Sequence, residues 1–402
     1  MIHPTINMSL TEKLTLEEIR RKRPSKYAGL EEGVISLGLA ESDFEMPKEV
    51  KEAMISAILE GRYHYEMDGV VEFLEAAMDK LSRFNGISAG KEEILPTVGA
   101  MNGIWLAYRI LLKPGDHVIV VTPSYPALIG RPKSLQAEVT EAKVRKDGHL
   151  DLAVIEKAVS SRTRMITICN PNNPTGTVYT KDELEQLAEI AIRHDLYVLS
   201  DELYENLTYD GRKHVSIASL PGMRERAITL FGFTKTYGMS GLRIGYVVAE
   251  REIIRKMKDE NTGIVIHPGT VEQIGAAAAL KKCDYYIDFL KNYLEKVRNR
   301  LVAMLSETPG VTISPPEGAF FAFPNLIPLF ENDKDAVEYL LKEARVLVHG
   351  GSGFGEGGAG HVRINFCSPL EIIEEAANRI RSALIKRHDA IGLKNKSLGN
   401  IV

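Results

Sequence analysis

Lys235 and Arg243 share the stretch Phe231-Gly-Phe-Thr-Lys-Thr-Tyr-Gly-Met-Ser-Gly-Leu-Arg-Ile-Gly-Tyr246. A neutral lysine amine attacks carbonyl carbon and takes protons, and a guanidinium presents a planar fork to oxyanions. Gly232, Gly238 and Gly241 predict a turn-rich loop around both residues. The apolar runs 227–231 and 244–249 predict buried strands on either side. A rigid scaffold holds reactive groups on loops of this kind. The same residue types also suit an ordinary solvated loop.

Other reactive groups stand at predicted element ends. Leu196 to Ser200 reads as a strand, and Asp201-Glu-Leu-Tyr204 follows it. An acid at the carboxyl end of a strand in an open α/β sheet lies where ligands bind, although Asp201 also suits a helix N-cap. A strand over Met165 to Cys169 runs into Asn170-Pro-Asn-Asn-Pro-Thr-Gly176, a stiff polar turn containing Asn173. Thr97 to Gly103 opens a helix reaching about Leu112, whose small first residues leave backbone N–H groups free to face an anion. Tyr125 follows the strand Val118 to Val121 in Thr122-Pro-Ser-Tyr125, and Tyr65 sits in a turn before a helix over Val70 to Phe84; both also suit half-buried packing. Arg363 lies in the strand-like run His361 to Phe366, where an ion-pair role is the plain alternative.

Strand–helix–strand units from about residue 95 to 250 predict an α/β domain with a largely parallel sheet. The helix after Thr180 has a capping box with Glu183 and an apolar face of Leu184, Leu187, Ala188 and Ala191. Long helices over residues 275–306 lead to a smaller region with strands at Phe320 to Phe323, Val346 to His349 and His361 to Phe366. Near the start, Thr15 and Glu18 cap a short helix that Pro24 stops, and Arg20-Arg-Lys-Arg23 reads as its solvated face. The polar tail from about His388 reads as frayed. Gly353-Phe-Gly-Glu-Gly-Gly358 fits a dinucleotide fingerprint by letter, but it precedes a strand rather than a helix, so it reads as a loop.

With 402 residues the chain exceeds one core and predicts two domains. A net charge of −4 argues against nucleic-acid binding by bulk electrostatics. Cys169, Cys283 and Cys367 are odd in number and widely spaced, which argues against a disulfide framework or a metal site and for a reducing cytoplasm. No secretory signal is visible in Met1 to Leu10, and no apolar run approaches the ~20 residues of a membrane span.

Lys235-Thr-Tyr-Gly-Met-Ser-Gly-Leu-Arg243 resembles the cofactor-lysine signature of class I/II aminotransferases, the fold-type I enzymes that use pyridoxal 5'-phosphate. The resemblance runs in order across residues 34 to 366. It implies the aspartate aminotransferase fold: a large cofactor domain with a mostly parallel seven-stranded sheet flanked by helices, and a smaller α+β domain. The implied boundaries are 1–45 for an arm and part of the small domain, 46–290 for the large domain and 291–402 for the rest of the small one.

The resemblance also implies roles. Lys235 is the covalent attachment point and proton carrier, Asp201 the partner of the ring nitrogen, and Asn173 and Tyr204 the partners of the ring oxygen. Tyr125 stacks on the ring. The phosphate falls to Arg243, the Ala100 and Met101 amides, Thr234, and Tyr65 reaching across a homodimer interface. Arg363 takes the substrate α-carboxylate beside Asn173 and Ala40. Gly232 stands where many members carry a phosphate-binding serine, and Ala40 where they carry glycine. The implied reaction moves an amino group between an L-amino acid and a 2-oxo acid in ping-pong order. A β-lyase or other reaction with the same cofactor, and a non-catalytic regulator on the same scaffold, are the alternatives.

Overall fold

A computed structural model describes residues 14–399. Seven strands form the central sheet: β2 (Ile94–Thr97), β3 (His117–Thr122), β4 (Glu138–Lys143), β5 (Thr163–Cys169), β6 (Tyr197–Asp201), β7 (Ala227–Gly232) and β8 (Gly245–Val248), with β1 (Ile35–Ser36) lying outside it. Their order is β2-β8-β7-β6-β5-β3-β4, and β8 alone runs antiparallel to its neighbours.

The inner strands are nearly continuous apolar runs because both faces are covered, whereas the edge strand β4 is polar and partly exposed. Alternate residues feed two cores. Val118, Val120, Met165, Leu199 and Leu230 meet the helix Gly99–Leu111 on one face. Ile119, Val121, Ile166, Ile168 and Val198 meet the helix Lys181–Arg193 on the other, through Leu184, Leu187, Ala188 and Ala191. The Thr180–Glu183 capping box forms as expected.

The C-terminal strands are much shorter. β9 (Phe321–Ala322), β11 (His349–Gly350) and β12 (Val362–Asn365) make an antiparallel sheet, while β10 (Val346–Leu347) pairs with β1 in parallel. Helices Asp284–Ser306 and Leu370–Gly399 pack beside them.

Four sequence expectations are corrected. Val346 to His349 is two strand pieces in different sheets, broken at Val348. Pro24 does not simply stop a helix: Leu16–Lys22 ends before it, and Pro24 opens a second helix, Pro24–Tyr27, at the position where its missing N–H costs nothing. The basic run is not merely solvated. Arg20 donates to the carbonyls of Leu30, Glu31 and Val34, and Arg23 to those of Ser42 and Phe44, so the arginines tie the arm down. The tail expected to fray past His388 continues as helix to Gly399. The expectation for Met1 to Leu10 lies outside the described residues. Among the described residues no helix is long and apolar enough to cross a membrane.

Candidate active site

Strand register brings the reactive groups to one end of the central sheet. Cys169 pairs with Asp201, and Asp201 with Leu230, so the turn after β5, the acid ending β6 and the loop after β7 leave the sheet side by side. Asp201 is 5% exposed, and the one donor to its carboxylate among the described residues is the Leu203 amide at 3.4 Å. Burial with so little compensation pushes its carboxyl up to about 6.

Behind it the alternation of the strand sends Ser200 and Glu202 to the opposite face. There Glu202 accepts from Ser200 Oγ (2.9 Å), Ser216 Oγ (3.0 Å) and pairs with His214 Nε2 (2.8 Å). Glu205, nearby, is paired with the buried Lys80 ammonium and accepts from Asn85 Nδ2 at 2.6 Å. The carboxylates of Glu202 and Glu205 with His214 are close enough to hold a metal, but Lys80 already supplies a cation there.

The Lys235 loop is shaped by glycine. Gly238 has φ +67, and a Cβ there would press the Phe44 carbonyl at 3.1 Å. Lys235 is half-buried, and its Nζ donates to the Ala40 carbonyl at 2.6 Å. Burial, then the Arg363 charge, pull its ammonium down to about 8. Arg243 adopts φ 50 and donates to the Ser240 carbonyl at 2.7 Å. Its guanidinium lies against the start of the helix Gly99–Leu111: a Cβ on Gly99 would sit 2.7 Å from Nη2. A guanidinium and a helix N-terminus therefore converge here, an arrangement suited to an anion.

Arg363 is buried between the rings of Phe321 (4.6 Å) and Phe354 (4.9 Å). Nη1 donates to Asn173 Oδ1 at 2.9 Å and Nη2 to the Gly38 carbonyl at 2.6 Å, while buried Nε has no partner. Burial lowers its pKa to about 10. Tyr204 packs edge-on against Phe320 and Phe321, and burial drives its phenol well upward. Burial and the Asp201 charge also raise Tyr125, which precedes the helix Pro126–Ser134.

One cavity of about 290 Å³ collects these groups. Its volume is near the roughly 300 Å³ lower end of small-molecule sites. Of the candidates, Ala40, Ala100, Met101, Tyr125, Asn173 and Asp201 line it. So do Tyr204, Thr234, Lys235, Arg243 and Arg363. Tyr65 does not: it is 77% exposed on another face, its ring edge-on to His267 at 5.7 Å. Gly232 also stays outside, and a Cβ there would crowd Leu203 at 3.3 Å. Sequence reasoning missed Leu39, Ile104, Leu203, His349 and Phe354 on the wall. Leu39 adjoins Ala40, and Phe354 sits inside the glycine-rich run that read only as a loop; those were the available signals.

The donor set fits pyridoxal 5'-phosphate. Asp201 is a buried carboxylate short of donors and would hold a protonated ring nitrogen, and the cation-lined helix start would hold a phosphate. This site on this sheet defines a vitamin B6-dependent enzyme of the aspartate aminotransferase fold.

The comparisons agree. The family described as aminotransferase class I and II matches residues 32–380. Aromatic-amino-acid aminotransferase 2 of Thermococcus litoralis is 38% identical over 88% of this chain and 92% of its own length. The aspartate aminotransferase of Pyrococcus abyssi is 37% identical over 94% and 98%. Among solved structures, the aromatic aminotransferase of Pyrococcus horikoshii superposes with a TM-score of 0.85 at 36% identity, covering 88% of this chain and 96% of that one. The chain belongs to the class I and II aminotransferases. It is a pyridoxal-phosphate-dependent aminotransferase acting on an amino acid and a 2-oxo acid.

Proposed function

We propose that Lys235 is the residue that carries the cofactor and moves the substrate's α-proton. The observation behind this reading is a lysine whose ammonium is drawn down to about 8 in the same cavity as a buried, under-hydrogen-bonded acid. Bound pyridoxal phosphate supplies an aldehyde for an amine and an electron-withdrawing ring that accepts charge from the amino acid's α-carbon. Asp201 holds the ring nitrogen protonated. Asn173 and Tyr204 donate to the ring oxygen, and Tyr125 covers the ring face. Arg243, Thr234 and the amides of Ala100 and Met101 hold the phosphate.

Arg363 binds the α-carboxylate, aided by its preset contact with Asn173. This orients the α-hydrogen toward Lys235 Nζ, which takes the proton as a neutral amine. Ala40 adds a wall methyl beside that nitrogen, and its carbonyl holds the resting amine.

We further propose a homodimer. Tyr65 is supported as its contribution to the other copy's phosphate site by its exposure, shared with Tyr63, Met67, Val71 and Ile266. Met67, Val71 and Ile266 also line one surface cavity of about 480 Å³, as apolar patches at interfaces do. The boundaries 1–45, 46–290 and 291–402 are the domain division this reading uses. Three free, buried cysteines favour a cytoplasmic location.

Lys235→Ala tests the core of the reading. Cofactor attachment, read as intact mass after borohydride reduction, should vanish together with turnover. Normal turnover by Lys235→Ala would sink it.

A further inference from the structure

The glycine-rich loop between β11 and β12 is built to close tolerance. A Cβ on Gly351 would run into the Gly358 carbonyl, and one on Gly358 into the Gly351 carbonyl. Gly355 has φ +88, and a Cβ there would strike Glu141. The loop folds back on itself in a way that side chains would forbid. The Ser124 amide donates to the Phe354 carbonyl at 2.8 Å, which fastens the loop to the chain just after β3.

The product of this construction is the placement of Phe354. Its ring is 1% exposed, 4.9 Å from the Arg363 guanidinium carbon and 5.1 Å from the His349 ring. Leu39, also on the cavity wall, is 47% exposed, and its carbonyl is held by Asn365 Nδ2 at 2.7 Å.

The cations on the described wall of the cavity are Lys235, Arg243 and Arg363. Each already has a proposed partner: the cofactor aldehyde, its phosphate and the substrate α-carboxylate. The wall left for a substrate's side chain includes Leu39, Ile104, Leu203, Phe354 and the His349 ring, whose Nδ1 is engaged with the Gly350 carbonyl at 2.9 Å. A second carboxylate pressed against this wall would lose water without gaining a guanidinium or ammonium partner. An apolar or aromatic side chain gains the burial instead.

We infer that this enzyme prefers amino donors with large apolar or aromatic side chains over aspartate, and that Phe354 and Leu39 determine this preference. The inference rests on the proposed assignment of Arg363 to the α-carboxylate.

The test uses the holoenzyme and single half-reactions with L-phenylalanine, L-leucine, L-alanine and L-aspartate, read as release of the 2-oxo acid. kcat/KM for phenylalanine should exceed that for aspartate by about 100-fold. Leu39→Arg should cut that ratio by at least about tenfold by giving the second carboxylate a partner. Aspartate reacting as well as phenylalanine, or an unchanged ratio in Leu39→Arg, overturns the inference and leaves the aminotransferase assignment standing. Failure of all four amino acids, alanine included, would strike the Lys235 and Arg363 assignments and bring the inference down with them.

Discussion

The two sides of the cavity are held by different means. On the sheet side, Asp201, Asn173 and Lys235 leave the ends of strands that are five to seven residues long and fixed by register, Cys169 against Asp201 and Asp201 against Leu230. On the C-terminal side, Arg363 stands on a four-residue strand with two-residue neighbours. It is held by side-chain contacts instead: Phe321 and Phe354 over its faces, and Asn173 and the Gly38 carbonyl at its ends. Backbone register cannot shift for one residue without shifting a whole strand. A clamp of side chains and glycine turns can be rebuilt one residue at a time. On the proposed assignments, proton transfer and the cofactor ring fall to the sheet side, while α-carboxylate binding by Arg363 and the wall residue Phe354 fall to the clamp.

Substitutions on the two sides should separate along this line. Asp201→Asn keeps shape and register but removes the charge proposed to face the ring nitrogen. It should lower kcat by about 10³-fold while leaving the fold intact by circular dichroism. A loss under tenfold would mean that the sheet side does not set the chemistry. Arg363→Lys keeps a positive charge but loses the planar fork and its fit between two rings. KM for the amino acid should rise roughly 10- to 100-fold, as expected for a charge-assisted contact, while cofactor affinity is unchanged. A fall in cofactor affinity matching the rise in KM would erase the distinction between the two sides.

The same contrast explains what the sequence revealed. Long apolar runs such as Met165 to Cys169 and Leu196 to Ser200 announced buried strands, because covered parallel sheet tolerates little else. The Thr180–Glu183 cap and its apolar helix face were equally plain. The lysine, acid and asparagine each follow such a strand, but the roles expected of them came from the resemblance to class I/II aminotransferases.

The C-terminal strands were legible only in part. Two-residue pieces carry no periodicity, so Val346 to His349 read as one strand although Val348 divides it between two sheets. The arm arginines looked solvated because carbonyl acceptors such as Val34 and Phe44 leave no mark in a sequence. Phe354 was hidden for a related reason: glycines show that a loop turns tightly, but not which side chain it delivers or where. Tyr65 lies outside this chain's cavity and is largely exposed.

The most direct measurement follows capture of pyridoxal phosphate by the apoprotein as pH is varied, fixed with borohydride and mapped by peptide mass. The modified peptide should be the one containing Lys235. Because burial and Arg363 lower its pKa to about 8, the neutral amine should grow about tenfold per pH unit below that point, and the capture rate should level off above it. Modification of a different lysine, or a rate still climbing at about pH 10 as for an ordinary exposed lysine, would contradict the account.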